Sequence, residues 1–264
     1  MAKRRLAALL LERGLVESYE KAQVAVMAGA VLVDDRPAVR PASLVDETAS
    51  LRLVERQGYV GRGGDKLEHA LDAFAVDVQG AVAADIGAST GGFTDCLLQR
   101  GAARVYAVDV GRGQLDLKLR SDPRVVVMEG VNARSLEALP EPVDLATVDV
   151  AFISLRQVLP AVMRLLTLGT KARLKPGLQG KEECGGRIVA LFKPQFEAEK
   201  REVSRGGVIR DPQLHARLIG RFAAWCVKSG LRVRGLTSSP LLGPAGNREF
   251  FFDLRPVQGG KTAP

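Results

Sequence analysis

Four polar residues of this 264-residue chain stand where an enzyme would need them: Lys66, Asp149, Lys193 and Glu249. Asp149 follows an apolar run at residues 143–148 and Lys193 follows another at 188–192. In a parallel sheet both would project from the carboxyl ends of neighbouring strands into one crevice. An amine held against a carboxylate there can line up a hydroxyl and take its proton. Lys66 lies in Asp65-Lys66-Leu67-Glu68, which has the form of a capping box at a helix start. The positive end of the helix dipole disfavours a lysine there by a few tenths to ~1 kcal/mol, so stability alone does not account for it. Glu249, in Gly246-Asn247-Arg248-Glu249-Phe250-Phe251-Phe252, opens an apolar strand with a hydrogen-bond acceptor. Taken singly, each of the four also reads as a helix cap, a surface lysine or an edge-strand acid.

A glycine-rich stretch supplies the second candidate site. Ala84-Asp85-Ile86-Gly87-Ala88-Ser89-Thr90-Gly91-Gly92-Phe93 follows an apolar run and opens a helical pattern, a place where backbone amides approach a ligand closely. It lacks the GxGxxG spacing of dinucleotide sites. Asp109, in Tyr106-Ala107-Val108-Asp109-Val110, ends the second strand about twenty residues on, where a carboxylate accepts from ribose hydroxyls. An acid before the glycines suits a nucleoside that carries ammonium and sulfonium charges and no pyrophosphate, which is S-adenosylmethionine. The expected contacts are Asp85, Gly87, Ala88, Ser89, Thr90, Gly91, Phe93, Asp109, Val110 and Asp149, with Gly130 and Asn132 after the third strand on the adenine side. A tight strand-to-helix turn at Asp85 and an Asn-capped turn at Asn132 are the plainer alternatives. Cys96, Cys184 and Cys226 are odd in number and lack the paired spacing of a zinc or disulfide framework, so reduced thiols and no metal are expected.

Positioning these residues requires an alternation of strands and helices. Apolar runs at 81–86, 104–108, 125–128, 143–148, 188–192, 231–236 and 250–254 predict strands, with helical patterns between most of them. That alternation predicts a mostly parallel sheet with helices on both faces. Before it, Leu6, Leu9 and Leu10 predict a helix and Ser18 caps a second one, with short strands at 30–33 and 49–54. The expected division is a small domain at 1–56, a glycine-rich flexible linker at 57–64, a larger domain at 65–255 and a disordered tail at 256–264. Residues 169–186 carry Lys171, Arg173, Lys175 and Lys181 and read as a charged surface insertion or an RNA contact.

A net charge of +8 points to a polyanionic partner, nucleic acid first, although a merely basic soluble protein has the same balance. Residues 1–60 hold nine Lys and Arg against eight Asp and Glu, so the excess lies beyond them. With no run of about 18 apolar residues and no secretory pattern at the amino terminus, no membrane span and a cytoplasmic location are expected.

The sequence resembles the TlyA, or haemolysin-A-like, family of ribose methyltransferases, relatives of the FtsJ/RrmJ RNA 2'-O-methyltransferases. The matching segments run along nearly the whole chain: Glu12-Arg13-Gly14-Leu15 with Ser18 and Glu20-Lys21-Ala22-Gln23; Gly64-Asp65-Lys66-Leu67; Asp85 to Asp95; Asp149-Val150-Ala151-Phe152-Ile153-Ser154-Leu155; Leu191-Phe192-Lys193-Pro194-Gln195-Phe196-Glu197; and Asn247-Arg248-Glu249-Phe250. The resemblance implies an amino-terminal alpha-L RNA-binding α+β domain joined to a Rossmann-like α/β methyltransferase. It also implies a Lys-Asp-Lys-Glu tetrad at Lys66, Asp149, Lys193 and Glu249. Ala7, Tyr19 and Asp34-Asp35 depart from the usual alpha-L pattern.

The expected activity is S-adenosylmethionine-dependent methylation of cytidine ribose 2'-hydroxyls in ribosomal RNA. The expected partner is ribosomal RNA or a ribosomal subunit, and the oligomeric state is left open. The alternatives are a haemolysin-like membrane-active protein and a non-catalytic RNA-binding assembly factor.

Overall fold

The computed structural model describes residues 3–27, 31–37, 43–53, 58–166, 186–203 and 206–257. Cys184, the insertion at 169–185 with its four basic residues, and the tail from 258 on lie outside the described residues. The chain divides into two compact units, Met1–Gly58 and Tyr59–Pro264.

The first unit runs β1 (Lys3–Arg5), α1 (Leu6–Glu12), α2 (Tyr19–Met27), β2 (Val31–Val33), β3 (Arg36–Pro37), β4 (Leu44–Asp46) and β5 (Leu51–Leu53). Ser18 caps α2 as its sequence predicts, its Oγ accepting from the Lys21 amide at 3.1 Å. Leu6, Leu10, Ala22, Val26 and Val31 close a small core. Asp34 and Asp35, at φ 49° and 60°, turn β2 into β3; two positive φ values in a row suit the twist of a tight hairpin. The β1 and β4 pairing was not anticipated, because Lys3, Arg4 and Arg5 are all exposed and show no apolar alternation.

In the second unit come α3 (Gly63–Ala73), β6 (Val82–Ile86), α4 (Gly92–Gln99), β7 (Arg104–Asp109), α5 (Leu117–Arg120), β8 (Val125–Glu129), β9 (Leu145–Val148), α6 (Leu155–Leu165), β10 (Arg187–Phe192), α7 (Pro194–Glu197), α8 (Pro212–Lys228), β11 (Leu231–Ser238) and β12 (Phe250–Pro256). All seven predicted strands form, and they make one sheet in the order β11-β12-β10-β9-β6-β7-β8. Every pairing is parallel except those of β12, which runs antiparallel between β10 and β11.

The strands are apolar on both faces because both are covered. Ile86, Val108, Val148 and Phe192 face α6 and α8, while Ala83, Val105, Val189 and Leu191 face α3, α4 and α5. The chain leaves β6 for β7 and β8 on one side and returns to β9 on the other. That reversal opens a crevice at the carboxyl ends of β6 and β9, where ligands of such sheets bind.

Residues 59–64, expected to be a loose connection, pack as part of this unit. Tyr59 lays its ring against Gly64, the Val60 amide donates to Asp95 Oδ2 at 2.9 Å, and Tyr59 donates to Glu68 Oε1 at 3.1 Å. α3 starts at Gly63, two residues ahead of the expected capping box, after Arg62, whose side chain makes no capping bond. Lys66 stays within the opening turn.

Candidate active site

β9 and β10 lie side by side in parallel register, with Ala190 opposite Val148. The residues that follow them, Asp149 and Lys193, therefore emerge together, and Lys193 Nζ lies 2.6 Å from Asp149 Oδ1. Lys66, from α3, lies 2.6 Å from Glu249 Oε2, from the entry to β12. Their side chains are only 8% and 1% exposed, so this ion pair is removed from water. Glu249 Oε1 has no hydrogen-bond partner among the described residues.

Asn247, itself buried, fixes the chain just before Glu249. Its Oδ1 accepts from the Ile209 amide at 2.9 Å and its Nδ2 donates to the Gly207 carbonyl at 2.9 Å. The loop after Asp149 is held by Glu197, which accepts from Ser154 Oγ and the Leu155 amide, both at 2.6 Å. Burial raises the Glu197 pKa, against those hydrogen bonds.

The glycine turn sits against the same loop. Gly87 has φ 87°, and a Cβ there would stand 2.2 Å from the Asp149 carbonyl oxygen. Only glycine lets β6 end so close to the strand beside it. Gly87, Ala88, Ser89, Thr90, Phe93, Lys66 and Asp149 line one recess, which Arg62 and Pro244 complete. A larger cavity of roughly 500 Å³ shares Gly87, Ser89 and Asp149 with it. That cavity is bordered by Asp109, Val110 and Asn132, three of the residues proposed from the sequence, by Val131 beside Asn132, and by Gln114, Arg134, Phe152 and Ile153, which were not among the expected contacts.

Asp109 ties the two loops of this cavity together. Its Oδ2 accepts from the Ser89 amide at 2.8 Å and its Oδ1 from the Gly111 amide at 2.7 Å. A carboxylate has about four acceptor positions, so two remain for a ligand hydroxyl. Glu129 anchors the far wall, accepting from Arg120 and from the amides of Gly113, Gln114 and Leu115, and the Arg120 bond leads these in holding its pKa at about 2.

Three expected cofactor contacts line neither space. Asp85 is fully buried behind the turn, where Thr94 Oγ1 donates at 2.7 Å and Thr147 Oγ1 at 3.1 Å. Burial pushes its pKa up to about 7, those hydroxyls opposing and the Asp149 charge adding to the rise. Asp85 thus braces the turn from below. Gly91 precedes α4 with Leu115 and Leu119 packed over it, and Gly130 faces Arg112.

Phe152 is the exception to the apolar rule at this edge. It is 92% exposed, holds φ 62°, and keeps its ring 5.3 Å from that of Phe196. A bulky residue at positive φ is strained, and such strain gathers at functional loops. The signal available in sequence was its place in the segment following Asp149.

A mostly parallel seven-stranded sheet with one antiparallel insertion, and a cavity built on a glycine turn at its switch point, define an α/β enzyme of the methyltransferase class. Residues 59–255 match the model of the FtsJ-like methyltransferase family. The chain belongs to that family. It is 46% identical to the 16S/23S rRNA (cytidine-2'-O)-methyltransferase TlyA of Mycobacterium tuberculosis, over 97% of this chain and 91% of that one. To Hemolysin A of Brachyspira hyodysenteriae it is 38% identical, over 93% and 97% respectively. A solved structure of a candidate hemolysin from Streptococcus thermophilus is similar at TM-score 0.68 and 39% identity, covering 98% of this chain and 90% of that one. No helix among the described residues is long and apolar enough to cross a membrane.

Proposed function

We propose that the protein methylates the ribose 2'-hydroxyl of cytidine in ribosomal RNA, using S-adenosylmethionine. The observation that carries this is the meeting of the Asp149–Lys193 pair and the Gly87 turn at one loop, with Lys66 and Asp149 lining a single recess. The larger cavity suits the cofactor: Asp109 borders it and keeps acceptor positions for a ribose hydroxyl. Val131, Ile153 and Val158 offer apolar walls to its base. When bound, it supplies a methyl group on a positively charged sulfur.

Lys193 Nζ, held by Asp149 and acting as the neutral amine, receives the proton of the attacking 2'-hydroxyl and becomes the ammonium that Asp149 then balances. Lys66, itself held by Glu249, and Arg62 orient the ribose and its neighbouring phosphate. Phe152 offers an open ring face on which a base turned out of its helix can stack. The first unit serves as the RNA-binding module, of the alpha-L kind that its helix pair and hairpin resemble. An RNA substrate in turn makes a cytoplasmic location the natural one.

The test is transfer of label from radiolabelled S-adenosylmethionine to separated ribosomal subunits, followed by mapping of the labelled nucleotide. Label at a cytidine ribose in ribosomal RNA supports the reading. Label in protein, or at a base, overturns it.

A further inference from the structure

Gln114, on the loop between β7 and α5, borders the cavity of roughly 500 Å³ with a solvent-exposed side chain. An exposed glutamine gains little from being fixed, because its rotamer freedom is lost in the process. Here both its backbone and its side-chain amide are held. The backbone N–H donates to Glu129 Oε1 at 3.0 Å, next to the Gly113 amide on Oε2 at 2.8 Å. Arg120 secures the same carboxylate, so the loop hangs on a charged anchor.

The side chain of Gln114 folds back over Gly111. A Cβ at that glycine would stand 2.1 Å from Gln114 Nε2 and 3.1 Å from Asp109 Oδ1. The bare glycine thus lets an amide nitrogen and a carboxylate flank one point at the cavity edge. The other end of the amide faces the glycine turn, where Gln114 Oε1 accepts from Ser89 Oγ at 3.4 Å, a long bond that sets direction more than strength. Ser89 holds φ 49°, a left-handed backbone uncommon outside glycine, and its own amide donates to Asp109 Oδ2 at 2.8 Å. Ser89, Asp109 and Gln114 therefore close a ring of contacts across the rim. With Oε1 turned to Ser89, the two N–H groups of Nε2 are presented on the Asp109 side.

A ribose asks for such a donor. Each of its hydroxyls donates one hydrogen bond and accepts up to two, whereas a carboxylate only accepts. A diol held by Asp109 alone would keep its oxygen lone pairs unmet once water is expelled, which weakens binding. The neighbouring backbone donors are already taken up: the Ser89 and Gly111 amides by Asp109, and the Gly113, Gln114 and Leu115 amides by Glu129. Gln114 Nε2 supplies what they do not.

We infer that Gln114 Nε2 donates to a ribose hydroxyl of the bound cofactor while Asp109 accepts from the same diol, so that the two together select a ribose over a deoxyribose nucleoside. The inference rests on the proposed cofactor and adds a residue that sets its recognition. S-adenosylhomocysteine, the cofactor without its transferable methyl, and its 2'-deoxy and 3'-deoxy analogues are titrated calorimetrically into full-length wild type, Gln114→Ala and Gln114→Glu. In wild type, deleting the hydroxyl that meets Gln114 should weaken binding roughly five- to hundredfold, the range for a polar group left without its partner. Gln114→Ala should bind the parent ligand about tenfold more weakly, and the same deletion should then cost several-fold less than in wild type, the mark of a direct pair in a double-mutant cycle. Gln114→Glu keeps the length and the oxygen and loses the donor, so it should bind no better than the alanine variant. Equal deletion penalties in wild type and Gln114→Ala, for both hydroxyls, overturn the inference, even if the alanine variant has a lower Tm, since Gln114 would then serve only the loop. Gln114→Glu binding like wild type overturns it too, because the oxygen alone would suffice; neither result touches the proposed cofactor. Wild type that binds no S-adenosylhomocysteine overturns the inference and the proposed cofactor together.

Discussion

Among single residues, Lys193 and Glu249 make different demands on the fold. Lys193→Ala should lower methyl transfer to ribosomal RNA by about 10²- to 10⁴-fold, with S-adenosylmethionine affinity unchanged by calorimetry, as for loss of a group that moves a proton. Wild-type turnover by that variant would remove Lys193 from the reaction. Glu249→Ala strands the Lys66 ammonium where the pair is 8% and 1% exposed. Urea unfolding should then show a loss of about 3 to 5 kcal/mol, the usual consequence of breaking a buried ion pair. Asp85 carries a pH signature. Between about pH 4 and about pH 7 the folded chain holds on this carboxyl a proton that the unfolded chain releases, because burial lifts its pKa from 3.8 to about 7. Stability should therefore fall as pH rises through that window, and Asp85→Asn should flatten the trend. Equal slopes for both proteins between about pH 5 and 8 would show that Asp85 is not its source.

At the scale of elements, the site depends on two turns meeting at the carboxyl ends of β6 and β9. Gly87→Ala adds a Cβ against the Asp149 carbonyl, at a backbone angle of 87° that disfavours any side chain. The variant should lose at least about tenfold in S-adenosylmethionine affinity and drop in Tm, since the clash cost exceeds the ~1 to 2 kcal/mol of a left-handed alanine. The loop after Asp149 behaves in the opposite sense. Phe152→Gly relieves a strained φ of 62° and exposes nothing new, because the ring is already 92% in solvent. Its Tm should hold or rise, while the KM for RNA increases about five- to hundredfold through lost stacking. A fall in Tm with unchanged KM would assign Phe152 to the fold. Helix and strand patterns revealed which stretches end at these turns. They did not reveal that Gly87 must be bare because of Asp149, a residue more than sixty positions away.

For the whole molecule, a net charge of +8 and the proposed substrate of linked phosphates predict salt-dependent binding. Affinity for ribosomal RNA should fall linearly with salt on logarithmic axes, and a flat response would argue against backbone contacts altogether. The seven strands, the helix pair of the first unit and the turns that carry chemistry are legible in the residue order, because apolar periodicity, caps and glycines act within a few residues of one another. The sequence motifs also brought Lys66, Asp149, Lys193 and Glu249 forward as one set. The tertiary structure alone decided how they pair, Asp149 with Lys193 through adjacent parallel strands and Lys66 with Glu249 across 183 residues of chain. It also placed Asp85 inside the core and outside the lining of both cavities, where two threonine hydroxyls, one on α4 and one on β9, donate to it. Residues 59–64 show the same limit: their glycines suggest looseness, yet Tyr59 and Val60 find partners on α3 and α4 that only folding brings near. Local pattern specifies elements, and burial among distant neighbours specifies what each polar group is free to do.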